Sequence, residues 1–158
     1  MSVLTFRSLV LASNNQGKIS EFRKLLSHLP LKIIGKPKEI DVAETGVTFI
    51  ENARLKAIEV AEFTGQWALA DDSGLCVDAL GGAPGVHSAR YASHDEGRIN
   101  RLLEELKSAE KRTAYFSSAI CIAGPGRRIL LEVEAQCMGN ITHSPRGKNG
   151  FGYDPIFE

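Results

Sequence analysis

Asp71 and Asp72 stand side by side at the end of an apolar run, Trp67-Ala-Leu-Ala70, and Ser73-Gly74 follows them. Ligands of α/β sheets gather at the carboxyl ends of strands. Two adjacent carboxylates in such a place are costly unless something positive shares it. Magnesium answers that need. It is a hard ion, takes one or two carboxylates, and leaves positions for phosphate oxygens and water. The same four residues would also make a tight Asx turn with solvated carboxylates. The apolar lead-in favours a site.

A second candidate is Ser13-Asn14-Asn15-Gln16-Gly17-Lys18, between an apolar run and a helical pattern. The N–H groups at a helix start, and the helix dipole, favour an anion there. Ser and Asn side chains add donors, and Lys18 adds charge. A polar turn with an N-cap is the plainer alternative. A Walker A loop fits badly: Ala12 falls where its first Gly belongs, and Ile19 where Ser or Thr would meet magnesium.

Glu44-Thr45-Gly46 precedes a helix on which Thr48, Asn52 and Lys56 are spaced i, i+4, i+8. They line one stripe. A lysine there could reach phosphates beside the first loop, and Glu44 could ligate a metal; a solvated stripe and a surface carboxylate are the commoner fates of such residues. Last comes Gly150-Phe151-Gly152-Tyr153-Asp154-Pro155. Glycines beside an aromatic ring let backbone approach a flat ligand. Phe151 could stack on a base, and Asp154 could accept from ring N–H or amino groups. A glycine-rich loop with a core Phe is the alternative. Together the four describe a nucleotide site: a phosphate cradle, metal carboxylates, a lysine and an aromatic shelf.

The elements that position them follow from periodicity. Ser8–Ser13 reads as a buried strand and Lys18–Leu26 as a helix with Ile19, Phe22, Leu25 and Leu26 on one face. Leu31–Ile34 is a short strand. Thr48 and Glu51 have capping-box spacing, so a helix is predicted from there to about Phe63, stopping at Gly65. Trp67–Ala70 is a strand ending in a turn at Asp71–Gly74, with Leu75–Leu80 resuming beyond it. Glu96–Lys107 is helical. Thr113–Ala123 and Arg128–Met138 flank Gly124-Pro125-Gly126 as an antiparallel hairpin. The sum is an α/β fold with a mixed twisted sheet flanked by helices.

The chain has 158 residues, 43% hydrophobic and 24% charged, with 19 basic and 19 acidic side chains. That composition suits one globular domain and excludes collagen, disulfide mini-proteins and disorder. Zero net charge makes nucleic acid a poor partner. No apolar run reaches the ~18–20 residues of a membrane span, so no membrane partner is expected and the chain reads as cytoplasmic. Cys76, Cys121 and Cys137 form no CxxC pair and are expected as buried reduced thiols. The four histidines lack zinc spacing.

The segments LVLASNNQGKISEFRKLL, ETGVTFIENARLKA, ALADDSGLCVDALGGAPGVHSARYA and GFGYDPIF resemble the inosine/xanthosine triphosphate pyrophosphatase family, from about residue 9 to residue 158. The resemblance implies Mg²⁺-dependent hydrolysis of non-standard purine nucleoside triphosphates (ITP, dITP, XTP) to the monophosphate and pyrophosphate by a homodimer. It implies phosphate binding by Ser13, Asn14, Asn15, Gln16, Gly17 and Lys18, with Lys56 on the triphosphate and Ser73 on the substrate. Glu44 and Asp72 match the metal acids, with Asp71 as acidic neighbour, and Asp72 matches the proton acceptor. Phe151, Gly152, Tyr153 and Asp154 match the base-binding segment. Family members continue into a lysine and a Ser-His-Arg motif, which this sequence, read as one pyrophosphatase domain over 1–158, lacks. A septum-inhibitor-type nucleotide pyrophosphatase ranks second. A nucleotide-binding protein with impaired catalysis is the reading from a different class.

Overall fold

Three consecutive apolar side chains, Leu9, Val10 and Leu11, are buried in β1 (Ser8–Leu11), the first strand of a computed structural model that describes residues 6–158. Helix α1 (Gln16–Leu25) and strand β2 (Lys32–Gly35) follow, then α2 (Phe49–Thr64), β3 (Ala68–Val77), α3 (Asp95–Glu105), β4 (Thr113–Gly124) and β5 (Arg128–Asn140). One five-stranded sheet runs in the order β2-β1-β3-β4-β5. β1 pairs in parallel with both β2 and β3. The sheet is mixed, and β4 and β5 form the antiparallel hairpin read from the sequence.

The chain forms two compact units, and the three long strands contribute to both. Of the described residues, the first holds 6–72 and 119–134. Its core gathers Leu9, Leu11, Ile19 and Leu69, with Phe22, Trp67 and Ile120 packed on it. Helix α2 turns Ala53, Ala57 and Ala61, all fully buried, inward at i, i+4, i+8. Thr48 caps it by accepting from the Glu51 N–H, and Gly65 ends it at φ 65°. Both ends were legible in the sequence. The reciprocal arm differs: Glu51 accepts from the Val47 N–H, one residue before the cap.

The second unit holds 73–118 and 135–158. Leu75, Val77, Ile99, Leu102, Leu106, Tyr153 and Ile156 form its core. Ile99, Leu102 and Leu106 are the apolar stripe expected of α3.

Three expectations are corrected. β3 does not stop at Ala70; it runs unbroken through Asp71-Asp72-Ser73-Gly74 to Val77, where one 3₁₀ turn at 78–80 follows. The cause is tertiary: β1 stops pairing with β3 at Leu69, but β3 is also hydrogen-bonded to β4 on its other side, a strand long enough to carry the extended backbone onward. Leu25 is exposed, not part of the α1 face. Cys76 and Cys121 are buried, but Cys137 is exposed because β5 is the sheet edge, exposed along nearly all its length.

Candidate functional site

The strand order reverses beside β1. The connection through α1 leads to β2 on one side, and the connection through α2 leads to β3 on the other. Right-handed crossovers in opposite directions put α1 and α2 on opposite faces of the sheet. Such a reversal opens a crevice at the carboxyl ends of the strands. β1 pairs with β3 at Val10↔Ala68 and Leu11↔Leu69, so Asp71 and Asp72 lie just past the last paired residue of β1.

The turn after β1 stands at that edge. Ser13 Oγ accepts from the Asn15 N–H at 3.0 Å, and Asn15 Oδ1 accepts from the Lys18 N–H at 3.1 Å as the cap of α1. The first turn of α1 carries no acid to offset its dipole. Asn14, Asn15, Gln16 and Gly17 are exposed. These features fit an anion cradle.

Lys18 donates from Nζ to Asp71 Oδ2 at 2.6 Å. One residue on, Asp72 Oδ1 lies 3.7 Å from Lys56 Nζ, which also reaches Glu44 Oε1 at 3.3 Å. Side chains alternate along a strand. Asp71 therefore meets the lysine of α1 and Asp72 that of α2, on opposite faces. Both aspartates are buried. Burial pushes the Asp72 carboxyl above the ordinary aspartate range. Lys56 and then Asn52 draw it back, Glu44 pushes it further up, and Lys18 draws it down weakly.

Among the described residues, the buried side-chain atoms without a hydrogen-bond partner are Asp72 Oδ2 and Asn52 Nδ2. A buried carboxylate oxygen left bare is what a hard cation would satisfy. Among the described residues, no three His, Cys, Asp or Glu side chains gather into a metal cage. Magnesium needs no such cage, since it keeps water and takes one or two carboxylates with substrate phosphates. Glu44 and Asp72, brought together around Lys56, fit that requirement. Asp71, held by Lys18 on the other face, is not brought to that pair.

Ser73 is exposed on β3, in the second unit. In the same unit lies the glycine-rich segment. Phe151 is 53% exposed. Its N–H donates to Asp154 Oδ2 at 3.0 Å, and the Gly152 N–H donates to Asp95 Oδ2 at 3.2 Å. Two carboxylates thus fasten adjacent backbone amides and leave the ring outside, between glycines at φ 81° and 62°. Tyr153 points the other way. It is buried, its hydroxyl donates to the Ser88 carbonyl at 2.9 Å, and burial raises its pKa to about 12. It is a core residue that anchors the segment.

Two residues that matter here were missed as site residues. Asn52 is completely buried on the inward face of α2. Its signal was a carboxamide interrupting the stretch Phe49 to Ala61, which otherwise buries apolar residues there. Asp95 gave no local signal for its contact 57 positions away.

A reversed α/β sheet with a helix-start cradle and an acid–lysine cluster at its strand ends defines a doubly wound protein with a charged site at the switch point. The model of the Ham1 family matches residues 9–158, and the chain belongs to that family. It is 64% identical to a dITP/XTP pyrophosphatase of Prochlorococcus marinus (strain MIT 9313), over 98% of this chain and 76% of the relative. It is 58% identical to a dITP/XTP pyrophosphatase of Gloeobacter violaceus, over 96% of this chain and 77% of that one. Among solved structures, a HAM1 protein from Coxiella burnetii superposes with a TM-score of 0.88 at 43% identity, covering 96% of this chain and 81% of its own.

Proposed function

We propose that this chain is a Mg²⁺-dependent dITP/XTP pyrophosphatase. It hydrolyses non-standard purine nucleoside triphosphates to the monophosphate and pyrophosphate and so clears them from the nucleotide pool. The observation that carries the reading is the buried Asp72 with its bare Oδ2, beside Glu44 and Lys56, in a chain so similar to relatives of that name.

Ser13 to Lys18 receive the phosphates at the start of α1. Lys18 and Lys56 turn toward phosphate oxygens, a role supported by their ion pairs with Asp71 and with Glu44 and Asp72. Glu44 and Asp72 would hold Mg²⁺, which offsets phosphate charge and acidifies water. Asp72 takes the proton from the attacking water. Its burial-raised pKa makes it a stronger base than an exposed aspartate. The water oxygen bonds to the α-phosphorus as the bond to the bridging oxygen breaks, and pyrophosphate leaves. Ser73 contacts the substrate. Phe151 offers its ring to the purine, while Gly152, Tyr153 and Asp154 hold that ring in place. Residues 1–158 serve as one pyrophosphatase domain, acting in the cytoplasm as a homodimer.

The test is product analysis with ITP, dITP, XTP, ATP and GTP in the presence of Mg²⁺. Equimolar monophosphate and pyrophosphate, formed faster from the first three, are expected. Stepwise release of orthophosphate, or no preference against ATP and GTP, would overturn the reading.

A further inference from the structure

We infer that Asn52 is a positioning residue whose single carboxamide ties the Glu44-Thr45-Gly46 loop to helix α2 with one end and orients the Asp72 carboxylate with the other. The loop end is formed already. Asn52 Oδ1 accepts from the Gly46 N–H at 2.7 Å. The approach is so close that a Cβ on Gly46 would sit 2.7 Å from that oxygen, which is why a glycine stands there. Glu44, two residues earlier, takes its height in the site from this anchor.

The other end is poised. Asn52 is completely buried and Nδ2 has no partner, an arrangement that is costly until a hydrogen-bond acceptor meets that donor. Lys56, one helical turn on, reaches Asp72 Oδ1, so the i, i+4 stripe of α2 faces that carboxylate. Asp72 Oδ2 is the other buried side-chain atom without a partner among the described residues. A small rotation lets Nδ2–H donate to that carboxylate and fixes which lone pairs face a cation and which face water. A buried leucine would fill the space as well; only a carboxamide supplies an acceptor for Gly46 and a donor for Asp72 together.

The inference rests on the functional reading above. Two variants separate the ends. Asn52→Ala removes both. Asn52→Asp keeps the acceptor for Gly46 and removes the donor. Pyrophosphate release is measured for both, with the Gly46 amide followed by NMR. In each variant kcat should fall by about a hundredfold, the scale of a small misplacement of a reacting group, with KM changing much less. In Asn52→Asp the Gly46 amide should keep its wild-type shift. Either variant retaining wild-type kcat overturns the inference. So does an Asn52→Asp protein whose Gly46 amide moves as far as in Asn52→Ala. If the wild-type chain releases no pyrophosphate, the functional reading fails by itself. The Asn52 assignment is then decided on the intact protein by Mg²⁺ titration. Its side-chain NH₂ resonances, identified by their loss in Asn52→Ala, should move; resonances that stay in place overturn it.

Discussion

Lys56→Met removes the cation that most strongly opposes burial at Asp72. The ammonium lies 3.7 Å from Asp72 Oδ1, and the two side chains are only 12% and 10% exposed. At that separation an effective dielectric near 20 gives an attraction of about 4 kcal/mol. Glu44, 3.3 Å from the same ammonium, stays behind and repels the Asp72 charge. Lys18 still attracts it, but weakly. If only a third of the attraction is felt, the titration midpoint of Asp72 moves up by about one pH unit. The assay is a ¹³C NMR titration of aspartate carboxyls in metal-free protein, with Asp72 identified by its loss in Asp72→Asn. Lys18→Met serves as the control and should move Asp72 less. A midpoint in Lys56→Met that stays put or falls refutes the electrostatic reasoning, as does a larger effect from Lys18→Met.

Asp72→Asn should lower pyrophosphate release by about 10²- to 10⁴-fold, the usual contribution of a general base. It should also stabilise the fold near neutral pH. A carboxyl whose folded pKa is raised contributes stability that is complete below its unfolded pKa and is lost as pH rises through the folded value. Thermal melting should therefore favour the variant at pH 8, with the gap closing in acid; a variant that melts lower at pH 8 contradicts this. Phe151→Ala should raise KM for the purine substrate and leave the melting temperature within about a degree, because the ring is mostly exposed. Tyr153→Phe should do the reverse: loss of the hydrogen bond to Ser88 costs about 1 kcal/mol in a melting or denaturant curve, with KM little changed.

What could be read from the sequence was what neighbours in the chain decide. The ends of α2 are local chemistry, a threonine cap and a left-handed glycine, and both lie where the spacing puts them. The cradle of Ser13 to Lys18 is local too, since its hydrogen bonds span two and three residues. The errors fall where distant partners decide. Asp71-Asp72-Ser73-Gly74 has the composition of a turn. It is strand because β3 has β4 as a second neighbour in the sheet, and because lysines supplied by α1 and α2 make extended, buried aspartates tolerable. Lys18 is 53 positions from Asp71. The exposure of Cys137 likewise depends on β5 being an edge, and strand order is not a local property.

The continuity of β3 also explains how two identical acids, adjacent in sequence, acquire different surroundings. Had 71–74 been a turn, both carboxylates could have pointed at one cation. On a strand they cannot, because successive side chains leave opposite faces. Asp71 is answered at 2.6 Å by Lys18, and that pair fastens the start of α1 to the sheet. Asp72 receives a lysine that is further away and shared with Glu44, and one of its oxygens has no partner. The incompletely answered carboxylate is the one with unmet demand for a cation or a proton, and so the one suited to chemistry. The period-two geometry of a strand, set at a switch point between two helices, is enough to give neighbouring aspartates different environments, one closely paired and one with an oxygen left unpaired.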